Sequence, residues 1–75
     1  MYTIWGRPNC VWCNEAKKLL DYYFIPFKYI ELTSENLDEF TILTNGAKKV
    51  PQVFHKTGEL IGGYEELNKF LSSTS

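Results

Sequence analysis

Apolar residues along this chain recur at two spacings, and the places where the spacing changes divide it into elements. Tyr2 to Gly6 is a short run of β-favouring residues. After the loop Arg7-Pro8-Asn9, Ala16, Leu19, Leu20 and Tyr23 recur at helical spacing, which predicts a first helix with those residues inward. Pro26 breaks that pattern, and Phe27 to Leu32 reads as a second strand rich in aromatic and branched residues. Ser34 is placed to cap a second helix, with Glu35 and Asp38 near its positive end, Leu37, Phe40 and Leu43 inward, and Asn45-Gly46 as its stop. Val50 to His55 predicts a third strand. Lys56-Thr57-Gly58-Glu59 has turn composition and leads into Leu60 and Ile61, so the last two strands form a hairpin. Gly62-Gly63 ends it, and Leu67, Phe70 and Leu71 mark the inner stripe of a final helix.

The order is therefore βαβαββα, an α/β fold. Strands joined through a helix pair in parallel by a right-handed crossover, whereas a hairpin pairs antiparallel. A four-stranded mixed sheet with helices on both faces follows. With 75 residues the chain supports one core, so residues 1–75 are read as a single domain, with 72–75 as a frayed tail. The hydrophobic share of 44% is ample for that core.

Charge and segment length narrow the function. A net charge of −1 gives no basic footprint for nucleic acid. The charge is uneven, however: Glu31, Glu35, Asp38 and Glu39 form an acidic stretch, and Lys48, Lys49 and Lys56 follow with no acid between them. No apolar run approaches the roughly 18 residues of a membrane span, and the first residues are not a charged segment leading into an apolar signal core. The expectation is a cytoplasmic protein with no membrane partner, and nothing requires more than a monomer.

The two cysteines are Cys10 and Cys13. A bridge at this spacing closes almost no loop and adds little stability, so it suits chemistry better. Residues three apart on a helix are surface neighbours, which makes reversible disulfide formation easy. At the helix start, partial positive charge and unpaired N–H groups stabilise a thiolate and lower its pKa from about 8.5. Cys10 sits at that end, with Arg7 as a nearby cation, and is the expected nucleophile. Cys13, a turn further in, is the expected resolving thiol. A bare Cys-x-x-Cys is also compatible with half a zinc site or with inert core thiols. Zinc needs four ligands, and only His55 remains, so no metal site is assigned. Trp12 is compatible with a core role or with covering the sulfurs, and His55 with a hydrogen-bonded strand histidine.

Three segments in order carry a resemblance: Cys10-Val11-Trp12-Cys13 after the first strand, Lys49-Val50-Pro51-Gln52-Val53-Phe54 at the third, and Ile61-Gly62-Gly63-Tyr64-Glu65-Glu66-Leu67 before the last helix. Together they resemble the glutaredoxins of the thioredoxin superfamily. The resemblance spans nearly the whole chain and implies a thioredoxin-like fold. It implies a cis peptide before Pro51, facing the cysteines, with the Val50 backbone pairing with the substrate's cysteine. It implies that Gly62 and Gly63 and the helix start at Tyr64 receive the γ-glutamyl end of glutathione, with Glu65 or Glu66 near its ammonium. Arg7, Lys48 and Lys49 would form a cationic rim for the glycyl carboxylate. Glutathione would be a co-substrate, with no tightly bound cofactor, and disulfide-bearing proteins, ribonucleotide reductase among them, would be the recipients.

The chain departs from the family pattern at Val11, where proline is usual, at Trp12, where tyrosine is common, and at Lys49, where threonine is usual. These bear on redox poise and on the glutathione contacts. Two alternatives stay open: a redoxin of the same fold reduced by thioredoxin reductase, and a metal or cluster carrier.

Overall fold

A computed structural model of the chain describes residues 1–73. Strand β1, Tyr2–Gly6, lies inside the sheet and organises both layers, because its side chains alternate between faces. It pairs in parallel with β2, Phe27–Glu31, and antiparallel with β3, Gln52–Phe54, which in turn pairs antiparallel with β4, Leu60–Gly62. The sheet order is β2-β1-β3-β4. Helices α1, Val11–Tyr22, α2, Leu37–Leu43, and α3, Tyr64–Ser73, complete the βαβαββα order that the apolar pattern predicts.

Tyr2 and Ile4 point to the face covered by α1 and α3, where Ala16, Leu20, Val53, Leu67 and Leu71 close the larger core. Each fully buried Leu or Ile there stabilises the fold by about 1.5–3 kcal/mol relative to exposure. Trp5 points the other way and meets Phe40 of α2 and Phe54, with the Trp5 and Phe40 rings 5.6 Å apart. Helices thus cover both faces, as expected. Among the described residues no helix is long and apolar enough to cross a membrane.

Several local expectations are corrected. Ser34 does not cap α2. Residues 34–36 form a turn instead, in which the Thr33 hydroxyl accepts from the Glu35 and Asn36 N–H groups, and α2 starts after Asn36. A hydroxyl bonding to backbone one turn early competes with the helix, as threonine does in such positions. Of the predicted inner stripe Leu37, Phe40 and Leu43, Phe40 is buried and the two leucines are exposed, since a seven-residue helix presents one central side chain to the sheet. Strand β3 is shorter than Val50–His55, because Val50-Pro51 belongs to the loop before it and the His55 N–H turns to the Glu59 carbonyl. The frayed tail also shortens: Ser72 and Ser73 continue α3, while Thr74 and Ser75 lie outside the described residues.

Tyr23 is the C-cap of α1 rather than part of its inner stripe. Phe24 follows in the left-handed conformation with φ 58°, and its N–H and that of Ile25 return to the Asp21 and Leu20 carbonyls. This is the helix stop that normally uses glycine. Phe24 is 93% exposed, so its ring contributes no burial in return for the strained backbone. Phe24→Gly is therefore expected to stabilise the protein by about 0.5–1 kcal/mol, the relief of left-handed strain less the added freedom of the unfolded glycine. Thermal unfolding should show a rise in Tm of a few degrees.

Candidate active site

The loop 7–9 leaves the end of β1, turns through Asn9 in the left-handed region (φ 58°), and delivers Cys10 to the start of α1. Cys10 is the helix N-cap, with extended φ −107° and ψ 110°, and its Sγ accepts the Cys13 N–H at 3.1 Å. The two cysteines form a disulfide with their Cα atoms 5.2 Å apart. No acidic residue occupies the first turn of α1, so the positive helix end is left to the sulfur. Cys13 is fully buried, whereas Cys10 is half-buried and flanked by the exposed side chains of Val11 and Trp12. An attacking group reaches Cys10 first.

Cys13 is buried against Gly6, and the close fit explains that glycine. A Cβ built there would meet the Cys13 Sγ at 2.9 Å and also the Tyr29 hydroxyl. Tyr29 reaches this point from β2, donates to the Arg7 carbonyl at 3.4 Å, and carries the Lys17 ammonium 3.8 Å from its ring centroid. Burial, with Glu31 adding to it, pushes the Tyr29 phenol up from its ordinary pKa, so it is a hydrogen-bond donor throughout the neutral range.

Trp12, which stands between the two cysteines in the chain, lines a groove of about 570 Å³. One wall is the loop before β3, where the Val50-Pro51 peptide is cis, as the resemblance implied. The Gln52 amide donates back to the Lys49 carbonyl at 3.0 Å and ties this loop across the proline. The other wall is the start of α3. There Glu66 Oε1 accepts the Gly63 N–H at 2.9 Å, a carboxylate three residues into the helix closing back on its cap. Gly62 has φ 124°, and a Cβ on it would lie 2.9 Å from the Glu66 Cβ and Cγ. Both the conformation and the close approach of Glu66 require glycine there. Trp12 and Tyr64 also line the groove, their ring centroids 5.1 Å apart.

Of the residues singled out in the sequence, Trp12, Lys49, Val50, Pro51, Gly63, Tyr64, Glu65 and Glu66 line this groove, and Arg7, Lys48 and Gly62 lie outside its lining. Glu66 is already engaged in capping α3, which leaves Glu65 as the acid without that duty. Gln52, a lining residue, was missed, as were Gly6 and Tyr29. Gln52 stands inside a quoted motif and was legible as a polar residue beside the proline; the meeting of Gly6 with Tyr29 depends on strand register. His55 accepts the Thr57 N–H at Nδ1 (3.2 Å) and sits edge-on between Tyr2 and Phe70, a packed histidine at the strand end. Among the described residues no three His, Cys, Asp or Glu side chains gather to hold a metal ion.

A Cys-x-x-Cys disulfide at the start of the first helix, with Trp12 of that motif and a cis-proline loop lining one groove, on a βαβαββα sheet, defines a thiol–disulfide oxidoreductase of thioredoxin-like fold. Comparison with known proteins names the family. The Glutaredoxin family model matches residues 1–61. Glutaredoxin of Enterobacteria phage T4 is 29% identical over 85 aligned positions, covering 93% of this chain and 98% of that protein. Glutaredoxin-2 of Schizosaccharomyces pombe is 33% identical, over 95% of this chain and 67% of that one. Among solved structures, glutaredoxin 1 from Francisella tularensis, complexed with cacodylate, superposes with a TM-score of 0.81 at 25% identity, covering 97% of this chain and 93% of that one. The chain belongs to the glutaredoxin family.

Proposed function

We propose that this protein is a dithiol glutaredoxin that reduces protein disulfides and glutathione mixed disulfides, with Cys10 as nucleophile, Cys13 as resolving thiol and glutathione as electron donor. The observation that carries the reading is the inequality of the two sulfurs. Cys10 stands half-buried at an uncompensated helix N-terminus, two residues before the groove-lining Trp12, and Cys13 is fully buried. The Cys10 thiolate attacks a substrate disulfide, one substrate sulfur leaves as thiolate, and a mixed disulfide remains on Cys10. Cys13 or an external thiol then releases the reduced product.

The groove supports glutathione by complementarity. The tripeptide has two carboxylates and one ammonium; Lys49 lies at one wall, and the Tyr64 and Glu65 backbone at the start of α3, with the Glu65 carboxylate, lies at the other. Val50, preceding the cis proline, offers backbone for pairing with the substrate's cysteine. Arg7 and Lys48 add positive charge around the site without lining it. Exposed pairs contribute about 0.2–1 kcal/mol each, so reversing Lys48 and Lys49 together to glutamate is expected to lower turnover with glutathione roughly tenfold. Reduction of a small uncharged disulfide by dithiothreitol should be nearly unchanged in the same variant.

We further propose a cytoplasmic location, with ribonucleotide reductase among the recipients. An electron-donor assay decides the reductant. Turnover with glutathione and glutathione reductase supports the reading, and efficient reduction by thioredoxin reductase with none by glutathione overturns it.

A further inference from the structure

The Tyr29 hydroxyl has no part in the chemistry described so far, although it reaches the same spot as the resolving sulfur. A Cβ at Gly6 would touch both the Tyr29 hydroxyl and Cys13 Sγ, so the two groups approach the same point beside strand β1. From β2 comes the phenol, and from α1 the sulfur. In the disulfide form the hydroxyl makes a long hydrogen bond of 3.4 Å, to the Arg7 carbonyl in the loop that carries Cys10. That bond is weakly held at such length. The charged groups around the pair are Lys17 of α1, over the ring, Glu31 of β2, whose charge acts on the phenol, and Arg7, whose carbonyl accepts from it.

We propose that Tyr29 donates a hydrogen bond to the Cys13 sulfur when the Cys10–Cys13 disulfide opens, and so stabilises the leaving thiolate. The inference rests on the assignment of Cys10 as the attacked sulfur. An incoming thiolate forms a bond to Cys10 Sγ, the Cys10–Cys13 bond breaks, and its electron pair departs on Cys13 Sγ. That sulfur is then an anion in a buried site, where an unpartnered charge is unfavourable. A phenol that stays protonated at neutral pH is a suitable donor, and it comes from β2, a different element from the helix that carries Cys13. In the opposite direction the Cys13 thiolate attacks Cys10 Sγ of a mixed disulfide, the substrate sulfur leaves with the electron pair, and the hydroxyl returns to the Arg7 carbonyl. The proton that finally neutralises Cys13 in the dithiol form comes from solvent.

Tyr29→Phe removes the donor and keeps the ring that Lys17 and the core contact. Hydrogen bonds to charged groups are strong enough that its loss should raise the Cys13 pKa by about one unit, read from the pH dependence of the Cys13 Cβ chemical shift in a Cys10→Ser background. Reduction of the oxidised protein by dithiothreitol should slow about tenfold, while the alkylation pH profile of Cys10 in a Cys13→Ser background stays where it was. A fluorinated tyrosine placed at Tyr29, a more acidic donor of nearly the same shape, should move the Cys13 titration the other way. That second replacement decides the matter if the phenylalanine variant folds poorly. Unchanged Cys13 titration in both, with mercaptoethanol trapped on Cys10, overturns the tyrosine's role by itself. Mercaptoethanol trapped on Cys13 overturns it together with the nucleophile assignment.

Discussion

Cys10→Ser is expected to reduce disulfide exchange to the uncatalysed background, whereas Cys13→Ser keeps exchange with glutathione mixed disulfides within a few-fold and loses most reduction of protein disulfides. The asymmetry comes from placement. Cys10 caps α1 with its sulfur accepting the Cys13 N–H, at a helix end that stabilises a thiolate and leaves it accessible enough to attack a substrate. A serine hydroxyl at that position does not ionise near neutral pH and has no equivalent. Cys13 is fully buried, so in the proposed roles it meets substrates through Cys10. Its contribution is an intramolecular attack, and correctly oriented groups of this kind act at very high effective concentration. Without it a protein mixed disulfide waits for an external thiol. A glutathione mixed disulfide needs no second thiol from the protein, since glutathione itself completes the exchange. Parallel assays with a glutathione mixed disulfide and with a disulfide-bonded protein check the result. Substantial activity in the Cys10 variant would interchange the two roles.

Much of this site was legible in the sequence because its chemistry is local. The Cys-x-x-Cys spacing, the strand before it and the helix after it are all set within residues 2–22, and periodicity reads such segments well. The parallel pairing of β1 with β2 and the antiparallel hairpin followed from connection rules. The cis peptide before Pro51 was a different matter, since neither composition nor spacing indicates it and only the family resemblance did. The errors fall where local signals compete. Ser34 suits a helix cap, but the Thr33 hydroxyl holds the following turn and α2 starts only after Asn36. Leu37 and Leu43 have helical spacing, yet α2 is too short to bury more than Phe40. What periodicity could not reveal is cross-strand contact. Gly6 looks like the end of a strand, but its lack of a side chain is what admits both Cys13 and Tyr29, residues from a helix and from a neighbouring strand. Glu66 lines the groove and also accepts the Gly63 N–H at the start of α3, a second role that only the folded backbone reveals.

Gly6→Ala is expected to impair resolution far more than a methyl group added at an exposed glycine. The new Cβ would lie 2.9 Å from Cys13 Sγ, a distance that carbon and sulfur do not share without one of them moving, and closer still to the Tyr29 hydroxyl. Neither neighbour yields easily: the tyrosine ring is rigid, with the Lys17 ammonium over its face, and Cys13 is a short, fully buried side chain on α1. The strain must therefore pass to α1, lifting its start away from β1. Overpacking of this kind destabilises by about 1–3 kcal/mol, and for a domain of this size that lowers Tm by several degrees per kcal/mol. The functional loss should be larger in proportion, because a displacement of about 1 Å between groups that must react can slow the step on the order of a hundredfold. Reduction of a protein disulfide, which needs Cys13 aligned with Cys10, should fall by about that factor, while exchange of a glutathione mixed disulfide through Cys10 should fall much less. Gly58→Ala is the comparison: nothing lies within 4 Å of its Cβ, and its left-handed φ of 95° gives a stability loss without any contact to the cysteines. If the two alanine variants lose stability alike and retain the same ratio of protein to glutathione disulfide reduction, the contact between Gly6 and Cys13 does not govern resolution.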